Sequence, residues 1–258
     1  MKKGDLYMAI EIIDKSKCSG CSACFSVCPK RCIVMREDKE GFLYPSIDDK
    51  NCIHCGLCER ICPIKNRYLP PDNKDIIAIA AQLKDDSLRL NSSSGGVFTA
   101  IAEEVIKRGG VVFGAAFNKN LGVRHIYTET KEGLSQIRGS KYLQSIIGDA
   151  YKQAEHFLKN GRQVFFTGTP CQIGGLYAYL GENYDNLITQ DLVCHGVPSP
   201  LVWGKYLTYR KKEAGANVEN VFFRDKRVGW KKYSISLKFS NQTEYSETIT
   251  PPWPRSVL

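Results

Sequence analysis

Two copies of one cysteine pattern, thirty-four residues apart, constrain this chain more than anything else in it. Cys18, Cys21, Cys24 and Cys28 precede Pro29; Cys52, Cys55, Cys58 and Cys62 precede Pro63. Each copy reads C-x2-C-x2-C-x3-C-P. Three thiolates separated by two residues can wrap a tight loop around one cubic iron–sulfur cluster, with backbone N–H groups turned toward its sulfurs. The fourth thiolate must come from elsewhere. Proline after it has no N–H and a fixed φ, which suits a chain leaving the cluster.

This run is the one found in bacterial two-cluster ferredoxins, where the fourth cysteine serves the other cluster. Applied here, cluster one takes Cys18, Cys21, Cys24 and Cys62, and cluster two takes Cys52, Cys55, Cys58 and Cys28. Crossed ligands let metal hold together a segment whose own apolar core is too small. Zinc usually takes two spaced pairs, a poor fit to two identical four-cysteine runs. A disulfide scaffold needs an oxidising compartment, and Met1 to Asp5 is not followed by the apolar run of a signal peptide. The expectation is two 4Fe-4S clusters. Cys32 lies outside the repeat, with Asn66 in the matching place of the second copy, and reads as a packed thiol near a cluster. His54, between two ligands, reads as a solvent-facing loop residue.

At 258 residues the chain has room for one or two domains. A cluster module uses the first seventy or so, and an ordinary core can form from the rest. Ile76 to Ala81 and Val111 to Phe117 are too short to span a membrane, so a cytoplasmic protein with no membrane span is expected. The formal charge of +9 counts cysteines as neutral. Two oxidised clusters, each a unit of about −2, would bring it to roughly +5. That excess is compatible with phosphate-bearing cofactors or an acidic redox partner. The basic residues are scattered and no basic helix stands out, which argues against nucleic acid.

Ile10 to Ile13 is a candidate edge strand, and Ile33–Met35 with Phe42–Tyr44 reads as a hairpin. Leu69 to Asn73 looks like a linker, so the expected domains are 1–68 and 75–258. Beyond it, Ile76 to Leu83 reads as a strand, and Val97, Ala100, Ile101 and Val105 mark a helix ending at Gly109–Gly110. Further strands are expected at Val111–Phe117, Arg124–Thr128, Gln163–Phe166 and Leu187–Val193. Helices are expected over 143–159 and from Thr169 onward, through Ile173, Leu176 and Leu180. Past Val221 the pattern becomes alternating β. The fold class is therefore an α+β ferredoxin-like two-cluster module, then an α/β domain with a mostly parallel sheet and a β-rich C-terminal part.

In such sheets, ligands bind beyond the carboxyl ends of the strands, at helix N-termini. Two turns have that form. Asn91 to Gly96 offers Ser92, Ser93 and Ser94 with Gly95 and Gly96; it suits an oxyanion, or else Ser93 or Ser94 merely caps the helix. Thr167 to Gln172 puts Cys171 at a helix start, as a nucleophile, a ligand of a further metal site, or a packed residue beside a cofactor. Cys194 and His195 end the next strand and would line the same cleft.

Asn91–Gly96, Gly139–Tyr142, Gly168–Gln172, Asp191–Pro198 and Phe223–Lys226 together resemble the motifs of the coenzyme F-420 hydrogenase/dehydrogenase beta-subunit family. With the cluster module in front, the resemblance covers nearly the whole chain. It implies an iron–sulfur flavoprotein that passes electrons between 4Fe-4S clusters and FAD. Hydride would be exchanged with an organic donor or acceptor: the deazaflavin coenzyme F-420 in some members, other molecules such as hydroxymethyl chlorophyll in others. The redox partner would be a ferredoxin or a hydrogenase/dehydrogenase subunit. The resemblance places FAD against Ser92, Ser93, Ser94, Gly95, Gly96, Ser140 and Lys141, with Thr169, Pro170, Cys171 and Gln172 nearby. Lys141 would meet a phosphate or the flavin ring. No catalytic residue is singled out. Family members run well past this length and carry a further cysteine pair, which Cys194 would join in a third cluster, so the resemblance implies a shortened C-terminus. The rivals are a non-catalytic electron relay whose second domain only docks, and an inactive fragment.

Overall fold

The computed structural model describes residues 10–11, 14–66, 76–230 and 232–248. In the cysteine-rich part, a short helix α1 (Ala23–Val27) follows the first three cysteines, and α2 (Leu57–Arg60) begins beside Cys58. Between them, β1 (Ile33–Glu37) and β2 (Leu43–Ile47) form the expected antiparallel hairpin. The core is Ile10, Ile33 and the buried Cys24, Cys28, Cys32, Cys58 and Cys62. Ile10 and Glu11 lie in no strand, and Ile12 and Ile13 fall outside the described residues, as does the linker reading at 69–73.

From residue 76 the chain builds α3 (Asp86–Leu90), α4 (Val97–Lys107), β3 (Val111–Phe117), β4 (Val123–Thr128), α5 (Leu134–Ile137), β5 (Ser145–Ile146) and α6 (Ala150–Lys159). It continues with β6 (Val164–Gly168), α7 (Pro170–Leu180), β7 (Leu187–Asp191) and α8 (Pro200–Ala214). The five-stranded sheet has the order β5-β4-β3-β6-β7; β3 and β4 pair antiparallel and the other neighbours parallel. The period-two alternation sends Val111, Phe113, Val164 and Phe166 to the face covered by α6 and α7, and Val112 and Phe165 to the face covered by α4 and α5. Fully burying each of these phenylalanines contributes about 2–3 kcal/mol. A second sheet, ordered β10-β9-β8, comprises β8 (Val218–Asp225), β9 (Ser234–Phe239) and β10 (Glu244–Thr248). It packs with Trp203 and Leu207 of α8 against Leu121, Val123 and Leu143, and Trp203 Nε1 donates to the Leu121 carbonyl at 2.9 Å.

Four expectations are corrected. Ile76 to Leu83 is not a strand: Ile76, Ile77 and Ile79 are largely exposed, and Ala81 to Leu83 packs against Gly95 and Gly96, with the Leu83 N–H on the Gly95 carbonyl. The helix expected over 143–159 begins at Ala150. Ser145–Ile146 pairs with β4 instead, and Gly148, at φ 54°, separates the strand from the helix. The strand from Leu187 stops at Asp191, leaving Val193 exposed. On α4 the buried face is Thr99, Ala102 and Val105, while Val97 and Ala100 turn toward solvent.

Candidate iron–sulfur and cofactor site

The tight loops of the two cysteine runs turn through left-handed backbone at Gly20, Ser22, His54 and Gly56. They enclose two cavities. One is lined by Cys18, Cys21, Cys24 and Cys62; the other by Cys28, Cys52, Cys55 and Cys58, with Cys32 beside them. The structure thus groups the eight repeat cysteines four and four, each set completed by the last cysteine of the opposite run. Among the described residues, no group of three or more His, Cys, Asp or Glu is placed to hold a metal ion. The thiols surround a void instead of meeting at a point, as a cubane requires.

Burial pushes the Cys21 thiol up to about 11 and Cys24 higher still, so these sulfurs ionise only against a cation, as thiolate ligands do. At Cys28 burial raises the thiol, but the Cys32 thiol and the N–H groups of Cys32, Lys30 and Ile33 outweigh it and bring Cys28 below its ordinary value. The Ile10 N–H likewise donates to Cys58 Sγ at 3.3 Å. Donors aimed at sulfur favour a charged cluster. Cys32 is a buried thiol 3.4 Å from Cys28 Sγ, and burial pushes it up to about 12. His54 is exposed, as expected of a loop residue.

Across the junction, three turns gather at one end of the five-stranded sheet. At the first, α4 starts at Gly96, φ 84°, without a side-chain cap, so neither Ser93 nor Ser94 caps it. Its glycines have a packing reason. A Cβ on Gly95 would stand 2.5 Å from the Ala81 carbonyl oxygen, and one on Gly96 2.5 Å from Leu83 Cδ1. Ser92 is buried with its hydroxyl on the Leu88 carbonyl, and Ser94 is exposed. At the second turn, Ser140 Oγ donates to Ser93 Oγ at 2.9 Å, joining the two loops. The half-buried Lys141 Nζ donates to the carbonyls of Ile137, Arg138 and Gly139, while loss of solvent around it pushes its pKa down to about 7. All three of its protons are therefore engaged by backbone. Lys226, from the end of β8, also reaches this place: its Nζ donates to the Ser92 carbonyl and lies 3.7 Å from the Trp230 ring centroid.

The third turn follows β6. Thr169 and Gln172 form a capping box at the start of α7, with Pro170 in the first turn, and Gln172 Nε2 donates to the Ser145 carbonyl at 3.3 Å. Cys171 Sγ lies 3.1 Å from Thr169 Oγ1. Burial raises the Cys18 and Cys21 thiols, and Cys62 and Cys171 are among the neighbours that add to it. Cys171 therefore sits beside the first cavity. Cys194 and His195 lie in an exposed segment after β7, where the Gly196 N–H donates to Cys194 Sγ at 3.4 Å. No group that could hold a metal ion among the described residues contains Cys171 or Cys194.

Sequence reasoning missed the side chains that tie these turns together. The buried His125 bridges β4, β5 and β6: its Nε2 is 3.0 Å from the Thr167 carbonyl and its Nδ1 2.8 Å from Ser145 Oγ. A carbonyl can only accept, so Nε2 carries the proton. The Leu43 N–H donates to Gln144 Oε1 at 3.2 Å, joining the hairpin to the segment between the second and third turns. Tyr151 follows the apolar spacing of Ile147, Ala154 and Leu158 and is legible as core. The partners of its hydroxyl are not.

Three family models match the chain: a 4Fe-4S dicluster domain over residues 17–66, and the N-terminal and C-terminal parts of the coenzyme F420 hydrogenase/dehydrogenase beta subunit over 78–150 and 161–250. The chain belongs to the coenzyme F420 hydrogenase/dehydrogenase beta-subunit family. The motif-carrying turns of this beta-subunit chain all fall within the two subunit matches, and its cysteine runs fall within the dicluster match. It is 47% identical over 38 residues to an uncharacterized ferredoxin of Methanocaldococcus jannaschii, a match covering 14% of this chain and 49% of that one. The chain thus spans about half the length of this curated relative. It also resembles a chain of the F420-reducing NiFe hydrogenase complex from Methanosarcina barkeri at 16% identity and a TM-score of 0.43, covering 65% of this chain and 58% of that one. Among the described residues no helix is long and apolar enough to cross a membrane.

Proposed function

We propose that this beta-subunit family member is an iron–sulfur, flavin-dependent oxidoreductase, with a two-cluster domain over 1–68 and a flavin-binding α/β domain over 75–258. Cys18, Cys21, Cys24 and Cys62 hold one 4Fe-4S cluster, and Cys28, Cys52, Cys55 and Cys58 hold the other. The single observation that carries the reading is the four-and-four grouping of thiols, with one set seated beside the end of the sheet where the three turns meet.

The donor set at that end suits a phosphate-bearing cofactor such as FAD. The α4 start is uncapped, Ser93 and Ser140 offer hydroxyls, and two lysines stand in the same cluster of turns. When bound, the clusters supply one-electron carriers, and the flavin exchanges hydride with an organic donor or acceptor such as coenzyme F420. The residues themselves orient and shield. Ser93, Ser140 and the α4 backbone bind phosphate, Lys141 contributes positive charge, and Thr169 to Gln172 form the wall nearest the first cluster. Electrons reach the clusters from a redox protein or partner subunit.

A non-catalytic relay is the second reading. It is favoured by the engagement of all three Lys141 protons with carbonyls, which leaves none for a ligand. Anaerobic purification, acid release of flavin and an iron count on the same sample separate the two. About eight irons and one FAD per chain are expected; eight irons with no flavin would establish the relay.

A further inference from the structure

The sheet domain touches the first cysteine loop with a buried side chain. Tyr151, at the start of α6, is fully buried, with its ring 5.8 Å from Phe166 and 6.0 Å from Tyr179, centroid to centroid. Its hydroxyl lies 2.9 Å from the Cys21 carbonyl oxygen and 2.7 Å from that of Gln172. Both are acceptors, so a single phenolic proton serves two carbonyls, one in each domain. Beside it, α7 has glycine where nothing larger fits. A Cβ on Gly175 would stand 2.8 Å from the Tyr151 oxygen, 3.0 Å from Cys21 Cβ and 3.2 Å from the Cys21 carbonyl oxygen. The cysteine loop and α7 are thus in close backbone contact, with the phenol wedged between them.

A hydrophobic seat alone would be served as well by phenylalanine. A buried hydroxyl costs free energy unless it is hydrogen-bonded, so the polar tie is the specific feature of this position. The tie joins Cys21 to the carbonyl of Gln172, in the turn that forms the wall of the proposed cofactor site. Electron tunnelling falls off exponentially with distance, so whatever fixes this separation fixes the exchange rate.

We propose that Tyr151 is a positioning residue that holds the first cluster against the Thr169–Gln172 turn, making that cluster the inner carrier and the second cluster the outer one that meets the redox partner. The proposal rests on the reading of Cys18, Cys21, Cys24 and Cys62 as one cluster's ligands and of the Thr169–Gln172 turn as a wall of the cofactor site.

The test is an anaerobic redox titration of the full chain, followed by electron paramagnetic resonance, in wild type, Tyr151→Phe and Tyr179→Phe. The first cluster's signal is identified as the one that Cys62→Ser removes. Tyr179→Phe is the control, since it removes a neighbouring phenol whose hydroxyl donates to Glu155 at 2.6 Å. Tyr151→Phe is expected to keep full iron, shift the midpoint potential of the first cluster only, and slow electron exchange between the clusters and the substrate. Tyr179→Phe should shift neither potential. Full iron with unmoved potentials in Tyr151→Phe, or an equal shift of both clusters, would overturn the proposal. Should Tyr151→Phe fail to fold, Gly175→Ala must shift the same single cluster, and its failure to do so counts equally against the proposal. Wild-type protein lacking two 4Fe-4S signals would overturn the cluster reading, and the proposal with it.

Discussion

At the scale of single residues, sulfur and imidazole act through what surrounds them. Cys28 sits in the first run yet faces the cavity of the second. Cys28→Ser should therefore cost about half the iron and remove the signal of the cluster held by Cys52, Cys55 and Cys58, while Cys62→Ser should remove the other. Magnetic spectra of the two variants check this, and the reverse pattern would refute the crossed assignment. His125 makes a second prediction. Burial, only partly offset by the Thr167 carbonyl, pushes its pKa down to about 4 from an ordinary 6.5. Between those values the unfolded chain binds a proton that the folded one does not, so stability falls as pH drops from 6.5 toward 4. The contribution is about 3 kcal/mol at the low end. Urea unfolding across that range should show this slope, and His125→Gln should flatten it.

At the scale of elements, the start of α4 is fixed by what crosses it. The segment from Ala81 to Leu83 lies against Gly95 and Gly96, and the Leu83 N–H donates to the Gly95 carbonyl at 2.7 Å. A methyl at residue 95 meets backbone, which cannot swing aside. Gly95→Ala should destabilise the protein by about 1–3 kcal/mol and weaken flavin retention, because the turn that carries Ser93 must move. Thermal melts and flavin content measure the two effects. The same crossing explains why an apolar run that reads as a strand is not one here. Residues 81–83 serve as packing for a helix start, and the Leu83 N–H is spent on the Gly95 carbonyl.

At the scale of the molecule, the two parts are held by different chemistry. The sheet domain has phenylalanine, valine and leucine on both faces of its five strands, whereas the buried core cluster of the cysteine-rich part is, among the described residues, Ile10, Ile33 and five cysteines. Stripping iron with a chelator should therefore unfold residues 14–66 and leave the sheet domain folded. Limited proteolysis would show cuts confined to the cysteine-rich part, and a chelated protein as resistant there as the loaded one would contradict this account.

Sequence alone determined the cysteine arithmetic, the hairpin between the runs, the alternation of strands and helices after residue 97, and the Ser- and Gly-bearing turns before the helices. Each is written in local spacing: C-x2-C, period two, period 3.6, and Ser or Gly before a helix. Tertiary structure decided the rest. Ile76 to Leu83 has strand composition, but its end is taken up in packing against Gly95 and Gly96 at the start of α4. Ile146 and Ile147 continue the apolar spacing of the helix expected there, but Gly148 and the pairing with β4 make Ser145–Ile146 a strand. Lys141 has the charge to meet a phosphate, yet its protons go to the three carbonyls that end α5. Tyr151 and Cys21 are 130 positions apart and share no motif. Their contact exists because the cysteine-rich part packs against α6 and α7, and that packing depends on surfaces that no local spacing records.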